Sequence, residues 1–226
     1  MRKVVVYAGN RAVYRKMEVA AKSLVWNSPV DRVWLLTENA FPSPMPGKIR
    51  VMNVSGQTFF PESGPNYRSD WSYMTLMRCA LAKMFPDEER VLWLDIDTIV
   101  CGDISPLFEM DMDGYCFAGV MEPGKSIDIF RYINAGVLLC NLEEIRRIGK
   151  DDELIELINR RPLVYPDQDA INLYCQGYIR TVGGEWNASD YTVRGDGRKI
   201  IHFAARNDFE DSPEFRLYDG KGWPEG

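Results

Sequence analysis

Apolar residues fall along the chain in two rhythms. Residues 3–9, KVVVYAG, form a continuous apolar run closed by glycine, which predicts a buried strand. Residues 11–26 place Val13, Met17, Ala20, Ala21 and Leu24 at helical spacing. RVWLLT (32–37) and IRVMNV (49–54) predict the next strands. Met74, Met77, Arg78, Leu81, Met84 and Phe85 predict an amphipathic helix over 71–85, and VLWLD (91–95) a further buried strand. Apolar strands alternating with helices predict an α/β fold, its mostly parallel sheet flanked by helices.

The later half is less regular. CFAGV (116–120) and AGVLLCN (135–141) predict strands, LEEIRRI (142–148) and ELIELINRR (153–161) helices, YIRTV (178–182) and KIIHF (199–203) strands. Asp167 suits a helix N-cap, with Asp169 in the first turn. Residues 56–70, GQTFFPESGPNYRSD, read as a mobile loop, and the residues after 203 as a turn-rich tail. No repeat or linker interrupts the 226 residues, so residues 1–226 read as one domain.

Composition narrows the function. Apolar content of 46% supplies a core, and the net charge is −6 with no Lys/Arg block beyond a pair. That argues against a nucleic-acid partner, which requires a clustered basic face. No stretch reaches the roughly 20 apolar residues that span a bilayer. The start, MRKVVVYAGN, is too short in apolar residues for a signal peptide. Five cysteines, an odd number without C-x-x-C, predict mostly buried free thiols in the cytoplasm. Asn53-Val54-Ser55 and Asn187-Ala188-Ser189 match the glycosylation sequon but carry little weight in that compartment.

Four segments carry chemistry. In VLWLDIDTIV, Asp95 and Asp97 follow a buried strand, at the carboxyl end where such sheets bind ligands. Two hard oxygen donors suit Mg²⁺ or Mn²⁺, and like charges there repel unless a cation or proton intervenes; the alternative is a turn or helix cap. His202, the sole histidine, ends the run KIIHF; it is either a plain hydrogen-bonded residue or a third ligand. In YINAGVLLCNLEEIR, Asn141 is a helix cap. Asn134, ahead of the strand, could hold a hydroxylated ligand, and Ala135-Gly136 admit close approach to the backbone. In YPDQDAINLYC, the amide of Gln168 could face a pocket.

Taken in order, LDIDTIV, INAGVLLCNLEEIR, PDQDAIN and KIIHF resemble glycosyltransferase family 8, the retaining GT-A family that includes bacterial galactosyl- and glucosyltransferases and glycogenin. AAKSL (20–24) and EWNAS (185–189) add to a likeness covering nearly the whole chain. The resemblance implies a GT-A, Rossmann-like fold with a nucleotide-binding half (1–100) and a donor-sugar and acceptor half (101–226). It implies Asp95, Asp97 and His202 as ligands of Mn²⁺ or Mg²⁺, with Ile96 beside the donor. It places Ala8, Gly9 and Asn10 at the nucleotide, Arg78 by the donor sugar and phosphate, and Asn134, Ala135 and Gly136 on the donor sugar. Asp167 and Gln168 lie beneath the anomeric carbon. The implied activity moves a hexose, glucose or galactose, from a UDP-sugar to a saccharide or glycoconjugate acceptor.

The chain departs from the family pattern at Asn10, where aspartate is usual, and at Asp208, where a lysine is; Arg206 is the nearby basic residue. Two alternatives stand beside the transferase. One is a non-catalytic nucleotide-sugar-binding module, favoured by Asp208. The other is a haloacid-dehalogenase-type phosphatase with Asp95 as nucleophile, Asp97 as acid and Asp151-Asp152 as its late acidic pair. In the transferase reading the 56–70 loop closes over the donor and offers Tyr67, Arg68 and Asp70. The motifs leave the acceptor and the oligomeric state open.

Overall fold

The computed structural model describes residues 1–42, 45–69, 71–125, 131–189, 197–204 and 208–224. Strand β1 (Val4–Ala8) lies between β2 (Arg32–Thr37) and β4 (Arg90–Leu94), parallel to both, and β3 (Ile49–Asn53) extends the sheet parallel to β2. These are the parallel units that the apolar runs predict.

Beyond β4 the direction reverses. Strand β7 (Ile133–Asn141) runs antiparallel to β4 and to β6 (Phe117–Met121), and β8 (Ile179–Val182) lies parallel to β6. The order is β3-β2-β1-β4-β7-β6-β8. β7 starts two residues before the predicted strand, so Asn134 lies within it rather than ahead of it. Two short strands, β5 (Thr98–Val100) and β9 (Ile200–His202), pair antiparallel outside this sheet.

Helix α1 (Tyr14–Asn27) buries Met17, Ala20, Ala21 and Leu24 as its spacing predicts. The expected helix over 71–85 is different. Tyr73–Cys79 wind as a 3-10 helix, and only α2 (Leu81–Met84) is α-helical. Buried Met74, Met77 and Ala80 are spaced by three, which suits a winding of three residues per turn. The chain adds α3 (Ser105–Glu109) and α7 (Pro213–Asp219), the latter in the expected turn-rich tail. Helices α4 (Leu142–Ile148), α5 (Lys150–Arg160) and α6 (Pro166–Tyr174) follow β7.

The start of α6 corrects another expectation. Pro166 is its first residue, and no side chain caps it from the N-cap position, Tyr165. Asp169 instead accepts the N–H groups of Val164 and Tyr165 at 3.1 and 2.9 Å. Asp167 is released for an ion pair with Arg78. Asn141 does cap α4, accepting from Glu144 N–H.

The sheet carries apolar clusters on its two faces. Met77, Trp93 and Leu138 belong to one, and Met17, Leu92 and Leu139 to the other. A third cluster of Val19, Ile99, Ile201, Phe203, Phe209, Phe215 and Tyr218 fastens α1 and α7 to the β5–β9 pair. Four of the five cysteines are buried, and Cys101 is exposed. No helix of the described residues is long and apolar enough to cross a membrane.

Candidate active site

A cleft of about 1150 Å³ opens at the carboxyl ends of β1 and β4. Ala8, Gly9 and Asn10 form one wall. Gly9 admits no side chain, since a Cβ there would lie 2.6 Å from Val13 Cγ2. Asn10 accepts the Ala12 N–H at 3.1 Å and so opens the 3-10 turn that leads into α1.

Asp95, Ile96 and Asp97 form the turn between β4 and β5 and line the cleft. The Asp95 N–H donates to Gly136 O at 2.8 Å, which pins the turn to β7. The pairing of β5 with β9 sets Thr98 opposite His202. His202 Nε2 therefore stands 3.3 Å from Asp97 Oδ1 and 3.9 Å from Asp95 Oδ2. Gly136 makes room for the ring, because a Cβ there would collide with His202 Cε1.

These three side chains each offer one ligand atom, all within 4.8 Å of one another. Two carboxylate oxygens and an imidazole nitrogen make a mixed O/N donor set for a divalent cation. The far ring nitrogen of His202, Nδ1, lies 3.0 Å from Asn187 Oδ1. With Nδ1 donating to that oxygen, Nε2 presents its lone pair to the carboxylates. Burial opposes the imidazolium, yet the charges of Asp97 and Asp95 outweigh it and raise the pKa of His202. Asp97 is lowered for the matching reason, burial being outweighed by His202. A proton and a metal cation answer the same excess of negative charge.

Arg78 is buried beside this set. It pairs with Asp95 at 2.8 Å and Asp167 at 2.9 Å, donates to Ala135 O and Thr75 O, and lies over the Trp93 ring at 4.7 Å. Burial disfavours its charge, but the two carboxylates outweigh that and raise its pKa. Asp167 is raised, mainly by burial against the lowering effect of Arg78. Trp93 Nε1 also donates to Asp95 Oδ1 at 2.8 Å.

Gln168 lines the cleft and accepts the Ala135 N–H at 2.9 Å. Asn134 is held on both sides: its Nδ2 donates to Glu122 at 2.6 Å, and its Oδ1 accepts from Gly136 N and Asn187 Nδ2. A continuous chain thus runs from Glu122 through Asn134 and Asn187 to His202.

The sequence profile described as "Glycosyl transferase family 8" matches residues 18–208. The chain belongs to glycosyltransferase family 8. Relatives include the glycosyltransferase GlyE of Streptococcus pneumoniae, 28% identical over 82% of this chain and 48% of its own length. General stress protein A of Bacillus subtilis is 32% identical over 51% of this chain and 46% of its own length. The chain thus spans about half the length of these curated relatives. The galactosyltransferase LgtC, solved in complex with donor and acceptor sugar analogs, superposes with a TM-score of 0.73 at 23% identity, covering 98% of both chains. The GlyE structure superposes with a TM-score of 0.75 at 21% identity, covering 99% of this chain and 61% of its own. At these identities the structural likeness shows the fold, a GT-A glycosyltransferase fold.

In this family 8 chain, residues that the resemblance marks converge on one cleft: Ala8 to Asn10, Arg78, Asp95 to Asp97, Asn134, Gly136, Asp167, Gln168 and His202 line it. Ala135 meets the group through its backbone. Tyr67 and Arg68 are not among the lining residues. Tyr67 stacks on Tyr73 at 4.6 Å and Arg68 pairs with Glu62 at 3.4 Å. Asn66, buried, bonds to Ile158, Arg161 and Leu163, which fastens this part of the expected loop onto α5 and the residues after it. Asp70 and Arg206 lie outside the described residues.

The phosphatase alternative fails here: Asp95, its nucleophile, is tied to Arg78 and Trp93, and Asp151-Asp152 sit on α5 paired with Lys83. Glu122, Trp71, Lys125 and Tyr165, which no pattern in the sequence marks, also line the cleft. Asn187 stands in the sequence in a sequon and in the family-like segment EWNAS, neither of which gives it a role. The side chain there is buried and bonded to His202, so it is not open to a glycan.

Proposed function

We propose that the chain transfers a hexose from a UDP-sugar to a saccharide acceptor with retention, using Mn²⁺ or Mg²⁺. One observation carries this reading: Asp95, Asp97 and His202 bring three ligand atoms together in the cleft that Arg78, Asp167 and Gln168 also line. Residues 1–100 take the nucleotide, with Ala8 to Asn10 at the base. Residues 101–226 take the donor sugar, at Asn134 to Gly136, and the acceptor. Asp95, Asp97 and His202 would hold a divalent cation, which when bound would supply Lewis-acid neutralisation of charge on a diphosphate leaving group. Arg78 adds fixed positive charge beside Asp95 in the same cleft.

The residues at hand favour retention without a covalent intermediate. Gln168 is an amide and a poor nucleophile. Asp167 is committed to Arg78, and Asp169 to backbone N–H groups. A same-face substitution through an oxocarbenium-like state asks for neither. The buried thiols agree with a cytoplasmic setting.

The test is thermal stability against nucleotides and UDP-sugars, with Mn²⁺ or with chelator, for wild type and Asp97→Asn. A ligand at 100 times its Kd adds about 2.7 kcal/mol. The reading expects a metal-dependent shift with a UDP-sugar, absent in the variant, and slow hydrolysis of that sugar. No shift with any nucleotide overturns it. A second reading, a nucleotide-sugar-binding module, draws on Asp208 and on the commitment of Arg78 to two carboxylates. It expects the same shift with neither transfer nor hydrolysis.

A further inference from the structure

Gln168 is held at both ends. Its Oε1 accepts the Ala135 N–H at 2.9 Å, and its Nε2 lies 3.4 Å from the Tyr132 hydroxyl. That hydroxyl donates its proton to Asp169 Oδ1, while Asp169 Oδ2 accepts the N–H groups of Val164 and Tyr165. A hydroxyl has one proton. Once it is given to Asp169, the Tyr132 oxygen can only accept from Gln168. The neighbour must then be the amide N–H₂ and not the amide oxygen. At the other end a backbone N–H allows only an oxygen. Two independent constraints therefore select the same orientation. Tyr132 keeps its proton, since burial raises its pKa and Asp169 raises it further.

We propose that Tyr132 and Asp169 are positioning residues that fix the polarity of the Gln168 amide. They keep its oxygen on the side of Asn134 to Gly136 and its nitrogen on the side of Tyr132. The inference rests on the proposed transferase reading, in which Asn134 to Gly136 meet the donor sugar. The oxygen end then lies toward the sugar, where it favours positive charge developing at the anomeric carbon. A flipped amide would present N–H₂ there and oppose it. Gln168 thus acts as an oriented dipole, and the orientation is written two residues away from the cleft, in one tyrosine proton.

Three variants test this. Tyr132→Phe removes the lock but leaves the Ala135 restraint. Asp169→Asn reverses it: the introduced amide N–H₂ donates to the Tyr132 oxygen, and the hydroxyl proton turns toward Gln168 and competes with Ala135 N–H for the one Gln168 amide oxygen. The double variant deletes the misdirected hydroxyl. Stability shifts with Mg²⁺-UDP should match wild type in all three, and donor KM should stay unchanged. Removing one polar group preorganised toward developing charge costs about 10²–10³-fold in kcat, which bounds the loss expected here. The expected order of kcat is wild type, then Tyr132→Phe and the double variant together, then Asp169→Asn lowest. A merely structural role would make the double variant the worst, and that order overturns the proposal, as does wild-type kcat in Tyr132→Phe. The Gln168 side-chain amide signals in ¹H–¹⁵N spectra, assigned by their loss in Gln168→Leu, give a readout independent of activity. They should move in Tyr132→Phe and broaden in Asp169→Asn; signals that stay fixed in both also overturn it. A wild-type protein without Mg²⁺-UDP shift or turnover would sink the transferase reading, while these spectra still decide the lock.

Discussion

At the scale of single residues, the site depends on one missing methyl group and one buried cation. Gly136 leaves the space that the His202 ring fills. Gly136→Ala should push the ring away from Asp95 and Asp97 and weaken Mn²⁺ binding by about tenfold or more, as loss of ligand orientation does elsewhere; titration calorimetry reads this directly. Arg78 balances Asp95 and Asp167 in a buried setting. Breaking such a set from one side costs about 3–5 kcal/mol. Arg78→Met should lower the urea unfolding free energy by that order, with Asp167 then driven further toward its protonated form. The D-x-D pair and His202 were legible because each ends a long apolar run. Asn187 was not: it closes a single 3-10 turn, Gly184–Asn187, too short to show a periodicity, and its role exists only once β9 lies beside it.

At the scale of elements, chain direction was the least legible feature. β7 reads from its residues as a buried strand whichever way it runs, because a strand covered on both faces is apolar throughout. Its antiparallel course came from the fold alone. β5 and β9 are three residues each, too short to show an alternation. The start of α6 misled for another reason: Asp167 has the right chemistry for a cap, but Arg78 competes for it and wins, while Asp169 binds the N–H groups of Val164 and Tyr165 just ahead of the helix. A working acidic hub lies at the start of α3. Asp103 accepts from the Ser105 hydroxyl and N–H and from the Ser28 hydroxyl, and these bonds lower its pKa. A carboxylate lowered on folding lends stability that is present above its unfolded value of about 3.9 and is lost as pH falls through the folded value. Asp103→Asn should therefore flatten the acid limb of stability against pH. Urea midpoints from neutral pH down to below about 3 would show it, with little separation of the curves once both are fully protonated.

At the scale of the molecule, α7 anchors the region behind the site. Phe215 is fully buried in the cluster that joins α1, the β5–β9 pair and α7, and Arg15 of α1 reaches both Glu210 and Asp219. Phe215→Ala should cost about 3–5 kcal/mol in urea unfolding, and should loosen Asp97, whose carbonyl accepts the Phe203 N–H. The two-stranded pair also sets an order of events. Asp97 and His202 stand more than a hundred residues apart in the chain and meet only through β5 and β9. Contacts of such separation close late, after local structure has formed. A chain still on the ribosome with β9 inside the exit tunnel carries the D-x-D turn but no cation site. Capture of a metal and its nucleotide thus waits for nearly the whole of this sequence, and a fragment ending anywhere before Ile200 should show none of it.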